Sequence, residues 1–231
     1  MSGPPTTGRQ LRLDLARSEA EDADPFVASP TNAVARAALD AWPDWPNGAL
    51  ALTGPEGSGK SWLARDWAER TAALSVAAER LATLDFGVLA DRPVLIDDAD
   101  GAPRDEAMFH LINRAAAGGG GLLLAARTRP STWTTALPDL RSRLNAIAVA
   151  ELGEPDDAVL EGVLRKLFRA RNIRPGDDLL PYLVKRIERS VPRARELVAK
   201  LDEAADEERR PVTRVLAARI LDDENEPDLF N

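Results

Sequence analysis

Residues 49–61 read ALALTGPEGSGKS, a short apolar run followed by a glycine-rich turn and a lysine–serine pair. Gly54, Gly59 and the pair Lys60 and Ser61 satisfy the pattern G-x-x-x-x-G-K-[ST] of a phosphate-binding loop. In such a loop, backbone N–H groups point inward and cradle phosphates, and the next helix begins at the anion. The stretch therefore predicts a strand, a phosphate-binding loop (P-loop) over residues 54–61, and a helix.

The residues of the P-loop have distinct expected roles. Lys60 should reach the β- and γ-phosphates of a nucleotide, and the Ser61 hydroxyl should ligate Mg²⁺. A glycine turn that merely precedes a lysine is the alternative, but the strand before the loop and the helix after it favour the functional interpretation. We expect the whole loop to bind the nucleotide, namely Gly54, Pro55, Glu56, Gly57, Ser58, Gly59, Lys60 and Ser61.

Composition narrows the class of protein. The chain has 231 residues, of which 44% are hydrophobic, no cysteine, and a formal net charge of −8. This length suits one large domain or one domain plus a small one. The missing cysteines exclude disulfides and thiolate metal sites, and we find neither a secretory leader pattern nor a membrane-length apolar run. The acidic balance argues against tight non-specific binding to nucleic acid, so we expect a soluble cytoplasmic protein.

Strands and helices alternate in the first two thirds of the chain. Apolar runs predict five strands, at 49–53, 74–78, 93–98, 122–126 and 146–150. Helical segments flank them, at 33–42, 59–72, 79–84, 105–117 and 140–144. This alternation predicts an α/β fold, in which helices cover both faces of a parallel sheet and a ligand lies at the carboxyl ends of the strands.

The remainder of the chain divides into a helical domain and two tails. Helical spacing of apolar residues occurs at 155–171, 177–189, 192–208 and 212–221. We therefore divide the chain into a tail at 1–24, a nucleotide-binding domain at 25–152, a helical lid domain at 153–222 and an acidic tail at 223–231. In the first tail, residues 10–15 read QLRLDL, and their alternating leucines suit a peptide that extends a partner's surface or a short edge strand of this chain.

Two carboxylates follow the apolar strand VLI at 94–96. Asp97 is expected to hold Mg²⁺ through water, and Asp98 lies where a general base would orient the attacking water. Many buried strands end in an aspartate, so the pair is weak support when taken alone. Its place after the P-loop, with one strand between, makes it strong.

Arginines are candidates for two further roles in nucleotide chemistry. Arg143 could project from a subunit edge as an arginine finger toward a neighbour's γ-phosphate, with Arg141 as the fallback. A solvated surface charge is the commoner fate of such a residue. Arg195 could fold over the phosphates from a helical lid, with Arg193 as its competitor; an ion pair within the helix is the alternative there.

These elements occur in the order seen in DnaA-type AAA+ ATPases, which the chain resembles over about residues 24–221. The resemblance implies an AAA+ P-loop NTPase fold, that is, a parallel five-stranded αβα sandwich with a C-terminal helical lid domain, and ADP or ATP with Mg²⁺ as cofactors. DnaA continues into a DNA-binding domain, whereas this sequence ends after the lid, as in the Hda group that inactivates DnaA. Residues 10–15 are similar to the clamp-binding peptide of that group, which implies contacts by Gln10, Leu11, Leu13 and Leu15.

The resemblance also implies residue roles and partners. Arg143 would act as a finger on ATP bound to DnaA, and Arg195 would be the lid sensor. DnaA-type proteins carry a polar Ser/Asp group before Arg-Pro, where this chain has Ala126, Arg127 and Thr128; Thr128 is the substitute, and we expect weak ATPase activity of its own. The implied function is negative regulation of chromosomal replication initiation at the nucleoid, with DnaA and the DNA polymerase III β sliding clamp as partners and a homo-oligomer as an option.

Two other functions are kept as alternatives. The first is an ATP-driven loader or remodeller of replication proteins, which would hydrolyse ATP briskly without DnaA. The second is a DNA-binding initiator fragment, which the acidic balance opposes.

Overall fold

A parallel sheet forms the centre of the first two thirds of the protein. The computed structural model describes residues 27–89 and 91–225. Its strands are β1 (Ala49–Thr53), β2 (Leu74–Ala77), β3 (Val94–Asp97), β4 (Leu122–Ala126) and β5 (Ala148–Glu151). They lie in the order β2-β3-β4-β1-β5, and each neighbouring pair is parallel. The predicted five-stranded parallel sheet is confirmed.

Four helices cover the two faces of this sheet, which confirms the predicted sandwich. They are α1 (Pro30–Asp40), α2 (Lys60–Thr71), α3 (Glu106–Ala116) and α4 (Pro138–Asn145). Every residue of β1, an interior strand of the sheet, is buried, and its side chains alternate between the faces. Leu50 and Leu52 join a cluster with Trp67 of α2, whereas Ala51 joins a cluster with Leu111 of α3 on the opposite face.

The start of α1 lies three residues before the predicted helix. Ser29 caps it, because the Ser29 hydroxyl accepts a hydrogen bond from the Thr31 N–H and the Asn32 side chain accepts one from the Ser29 N–H. Pro30, whose fixed φ suits the first turn, extends the helix backward from the apolar stretch. The predicted helix at 79–84 is a 3₁₀ helix over Ala78–Thr83.

The last third of the protein has a hydrophobic core of its own. Its helices are α5 (Asp157–Ala170), α6 (Leu179–Val184), α7 (Val191–Glu208) and α8 (Arg214–Asn225). The helix predicted at 177–189 is shorter, because the chain turns after Val184 and buries Ile187.

The proposed acidic tail at 223–231 begins too early. Residues 223–225 belong to α8, and Glu224 accepts hydrogen bonds from Arg193 and from Lys200 of α7, the latter at 2.7 Å. These two cations neutralise the carboxylate and hold the last turn of the helix. The predicted contact residues Gln10, Leu11, Leu13 and Leu15 lie outside the described residues. Within the described chain, no helix combines the length and apolar character needed to cross a bilayer.

Candidate functional site

The P-loop curls between β1 and α2 and lies close to two other segments. Gly54 has φ of 154°, and a Cβ there would lie 2.0 Å from the Leu152 carbonyl oxygen. Gly57 has φ of 76°, and a Cβ there would lie 2.5 Å from the Ser190 Cβ. Only glycine fits both positions, because each combines a left-handed backbone with a neighbour in close approach.

Lys60 begins α2 at the bottom of the loop. The side chain is largely buried, at 8% exposed for the residue, and its Nζ donates a hydrogen bond of 2.7 Å to the Pro55 carbonyl oxygen. Burial lowers the pKa of Lys60, the Asp97 carboxylate opposes that effect, and the Arg127 guanidinium lowers the pKa further. The lysine is therefore a cation held in a partly dehydrated site, where an anion would gain more than in water.

Ser61 and Asp97 come together across the sheet edge, as the sequence predicts for a Mg²⁺ site. The Ser61 hydroxyl donates a hydrogen bond of 3.1 Å to Asp97 Oδ1, and Arg65 approaches the other carboxylate oxygen at 3.7 Å. Asp98 follows in a left-handed conformation with φ of 51° and lines the same cleft. Hydroxyl and carboxylate oxygens are suitable Mg²⁺ ligands, since this ion takes few protein ligands and completes its shell with water and phosphate.

The lid packs directly on the P-loop. The Val191 N–H donates a hydrogen bond of 3.1 Å to the Gly57 carbonyl oxygen, and Ser190 caps α7 by accepting a hydrogen bond of 3.2 Å from the Arg193 N–H. Between the loop and α7 lies a cleft of about 800 Å³, within the range of small-molecule sites. It is lined from the first domain by P-loop residues, Trp62, Arg65, Asp98 and Arg127, and from the lid by Arg171, Val191, Pro192, Arg195, Glu196 and Ala199.

The structure separates the two candidate lid arginines. Arg195 lines the cleft. Arg193 does not line the cleft; it pairs with Glu224 of α8 and, at 3.1 Å, with Glu196. Of the two, Arg195 has the geometry of a residue that folds over bound phosphates.

Thr128, which is predicted to bind the nucleotide, lies in the loop after β4. Its hydroxyl donates a hydrogen bond of 2.8 Å to Asp100 Oδ1 and accepts one of 3.0 Å from Trp133 Nε1, and Thr128 does not line the cleft. Through this hydrogen bond the side chain links its own loop to Asp100. The predicted contact between Thr128 and a nucleotide stays a prediction.

Arg127 and Asp100 are the functional candidates that sequence reasoning missed. The Asp100 carboxylate accepts hydrogen bonds from the backbone N–H groups of Arg127, at 2.5 Å, and Thr128, at 3.1 Å. Arg127 lines the cleft, and its guanidinium pairs with Glu56 of the P-loop at 3.3 Å. The available signal was the position of Arg127 directly after the predicted strand at 122–126.

Arg143 lies on α4, away from the cleft. The residue is exposed, and its side chain has no ion pair or hydrogen bond within the part of the chain that the structure describes. Arg141, the fallback, donates a hydrogen bond of 3.5 Å to the Ser131 carbonyl oxygen. An exposed guanidinium outside its own cleft suits a residue that reaches a neighbouring molecule.

Solved structures of replication initiation proteins and of a branch migration motor share this architecture. Domain III of the Thermotoga maritima replication initiation protein DnaA matches with a TM-score of 0.74, at 18% identity, over 88% of this chain and 96% of its own. The T. maritima RuvB Holliday junction branch migration motor matches with a TM-score of 0.63, at 16% identity, over 93% of this chain and 70% of its own. This chain has the AAA+ P-loop NTPase fold.

Other comparisons are consistent with that fold and add no function. The replication initiator DnaA bound to AMPPCP and single-stranded DNA matches with a TM-score of 0.61, at 16% identity, over 84% of this chain and 68% of its own. An uncharacterized Haemophilus influenzae protein is 29% identical over 74% of this chain and 80% of its own length. No family model matches the chain. The resemblance to DnaA-type AAA+ proteins is thus confirmed at the level of the AAA+ fold.

Proposed function

We propose that this AAA+ protein binds an adenine nucleotide with Mg²⁺ in the cleft between the P-loop and the lid. The observation that carries the proposal is the convergence of Lys60, Arg127 and Arg195 on one cleft that also contains Ser61. Three cations around a curled glycine loop suit a polyphosphate. The Ser61 hydroxyl and the neighbouring Asp97 carboxylate would hold Mg²⁺, which would neutralise charge on the phosphates.

An unsatisfied hydroxyl in the loop supports the same ligand. Ser58 Oγ is buried and has no hydrogen-bond partner among the described residues. A buried polar atom without a partner is costly, and a phosphate oxygen in the curl of the loop would accept a hydrogen bond from this hydroxyl. The residues present therefore fit the ligand: backbone N–H groups and Lys60 would hold the phosphates, and Arg195 would close over them.

Nucleotide binding is tested by titrating the protein with ADP and with AMPPCP in the presence of Mg²⁺. We expect Lys60→Ala to abolish or severely weaken both affinities, because the variant lacks the buried cation. Lys185→Ala, an exposed lysine at the end of α6, is the matched control and should bind as the wild type does. Unchanged binding by Lys60→Ala would contradict the proposed nucleotide site.

The proposed role of the bound protein is negative regulation of chromosomal replication initiation. The AAA+ fold shared with DnaA domain III, a replication initiation protein, supports a place in replication. The exposed Arg143 on α4 supports stimulation of ATP hydrolysis on a DnaA molecule docked beside it. In characterised GTPases an arginine supplied in trans raises hydrolysis by roughly 10³- to 10⁵-fold, so one residue can account for such an effect.

The sliding clamp of DNA polymerase III is the second proposed partner. Support comes from the sequence of residues 10–15, which is similar to a clamp-binding peptide. Replacement of Gln10 and Leu15 by alanine should abolish clamp binding in a pull-down with purified clamp. Retained binding would assign the segment to another role.

The regulatory role is tested by hydrolysis of ATP bound to DnaA, with and without clamp-loaded DNA. We expect Arg143→Ala to bind nucleotide and clamp normally and to lose the stimulation. Arg141→Ala, on the same helix, is the control and should retain most of it. If Arg143→Ala stimulates hydrolysis at the wild-type rate, Arg143 is not the arginine finger.

A loader or remodeller with its own turnover is the competing function. The likeness to the RuvB motor favours it, and so does Asp98, which lines the cleft beside Ser61 and could orient a water. Steady-state ATP hydrolysis by the isolated protein separates the two functions. We expect slow turnover, whereas brisk turnover that Asp98→Asn abolishes would favour the loader.

A further inference from the structure

A second cavity lies in the lid domain, apart from the nucleotide cleft. It has a volume of about 650 Å³, within the range of small-molecule sites. Its lining comes from α5, from the loop at 172–177 and from the start of α6, and none of these residues lines the nucleotide cleft. We call this cavity the lid pocket.

One wall of the lid pocket is a stripe of charged side chains on α5. Glu161, Arg165 and Arg169 follow one another at intervals of four residues, so they lie on the same face of the helix. Glu161 and Arg165 pair at 2.5 Å. The Arg169 side chain is exposed and has no ion pair or hydrogen bond within residues 27–89 and 91–225.

The other wall is the loop after α5, whose backbone is fixed by the way the helix ends. Asn172 has φ of 58°, and its N–H donates a hydrogen bond of 2.9 Å to the Arg169 carbonyl oxygen. The Ile173 N–H donates one of 2.9 Å to the Phe168 carbonyl oxygen, and Ile173 packs against the lid core. This pair of bonds is the usual closure of a helix by a left-handed residue. The loop therefore carries Arg174 into the same pocket as Arg169.

The charges of the lid pocket favour an anion. Three guanidinium groups line it against two carboxylates, those of Glu161 and Asp177, and Glu161 already pairs with Arg165. Arg174 resembles Arg169, because its exposed side chain makes no ion pair or hydrogen bond in the described part of the chain. A guanidinium fork matches two oxygens of a phosphate, and two such forks without an anion share this concave site.

We propose that the lid pocket binds a small molecule through a diphosphate group, which Arg169 and Arg174 hold. This site is additional to the proposed nucleotide cleft and requires neither the P-loop nor Mg²⁺. A diphosphate concentrates its charge within one pocket, whereas a nucleic acid distributes its charge along a strand. The net charge of −8 on the chain opposes a long polyanion, so the small ligand is favoured.

The experiment is a calorimetric titration of the Lys60→Ala protein with pyrophosphate in the absence of Mg²⁺, because this variant lacks the cation of the P-loop. We expect one site. Arg169→Ala and Arg174→Ala, each added to Lys60→Ala, should weaken pyrophosphate binding about tenfold, since charge-assisted hydrogen bonds are lost. Arg169→Lys should weaken it less than Arg169→Ala does, because it keeps the charge and loses only the fork.

The matched control is Arg210→Ala, which removes an exposed arginine of the same domain outside the lid pocket and should bind pyrophosphate as its parent does. The wild-type protein supplies a second measurement, since Arg169→Ala in that background should weaken the same pyrophosphate site.

Four results would overturn the proposal. The first is the absence of pyrophosphate binding by Lys60→Ala, and the second is binding that Arg169→Ala leaves unchanged, even where this variant lowers the free energy of unfolding. The third is an equal loss in Arg210→Ala, which would show general attraction by the cations of the lid. The fourth is tighter binding of a single-stranded oligonucleotide than of pyrophosphate, lost in Arg169→Ala, which would assign the pocket to nucleic acid.

Discussion

The Val191 N–H donates a hydrogen bond of 3.1 Å to the carbonyl oxygen of Gly57, so the first turn of the lid helix α7 is fastened to the P-loop. A change of loop conformation upon phosphate binding would act on this bond directly. The P-loop and the lid are therefore coupled through backbone atoms, and the coupling does not depend on the side chain at position 191.

Gly57→Ala is expected to disrupt this junction. A Cβ at Gly57 would lie 2.5 Å from the Ser190 Cβ, and the residue has φ of 76°. The control is Gly118→Ala, which has φ of 88° but no atom near its Cβ and should cost only the left-handed backbone penalty of about 1 kcal/mol. We expect Gly57→Ala to lower the free energy of unfolding by more than that and to weaken ADP binding. Equal unfolding midpoints for the two variants in urea would contradict the packing argument.

Ser61→Ala should remove the dependence of nucleotide affinity on Mg²⁺. The Ser61 hydroxyl lies 3.1 Å from Asp97 Oδ1, and together they form the proposed ion site. For the wild type we expect tighter AMPPCP binding with Mg²⁺ than with EDTA, and for the variant little difference. Ser142→Ala on the exposed side of α4 is the control. A variant that keeps the full Mg²⁺ effect would place the ion elsewhere.

Protonation of the Asp100 carboxylate should make the protein less stable at acid pH. Burial alone would raise the pKa of Asp100, but hydrogen bonds from the Arg127 and Thr128 N–H groups and the Thr128 hydroxyl outweigh it and lower the pKa below the ordinary 3.8. A carboxyl whose folded pKa is depressed contributes stability above its unfolded pKa, and this contribution is lost as the pH falls through the folded pKa.

Urea unfolding between pH 7 and pH 3 measures this contribution. Asp100→Asn should be less stable than the wild type at pH 7, and the two proteins should converge as the pH falls below about 4. Asp44→Asn, an exposed aspartate in the segment after α1, should follow the wild-type curve. A constant gap between wild type and Asp100→Asn across the range would show that the charge of Asp100 is not responsible.

Trp67→Ala should be strongly destabilising. Trp67 is 0% exposed, and its ring stacks on Trp45 at 5.1 Å and meets Trp42 edge-on at 6.1 Å. Loss of a buried tryptophan costs about 3–5 kcal/mol, because a large cavity remains. Val34→Ala on α1 is the control, since Val34 is 72% exposed and should cost under about 0.5 kcal/mol. Thermal unfolding measures both, and similar melting temperatures would refute the assignment of Trp67 to the core.

Local sequence patterns determined the P-loop, the strands and the fold class. Residues 54–61 are contiguous, so their spacing alone indicates a loop that cradles phosphate. The strands at 49–53 and 122–126 are correct to the residue, because central parallel strands are buried on both faces and appear as unbroken apolar runs. Helix ends were less predictable, as in α8, where Glu224 continues the helix through ion pairs to another element.

The tertiary structure alone decided which side chains share the cleft. The choice of Arg195 over Arg193 depends on how α7 docks, because residues two apart on a helix point to different sides. The roles of Arg127 and Thr128 depend on strand order and on Asp100, which lies on another segment of the chain. Sequence specifies contacts between near neighbours, whereas contacts between distant segments follow from sheet register and helix packing, which no local pattern records.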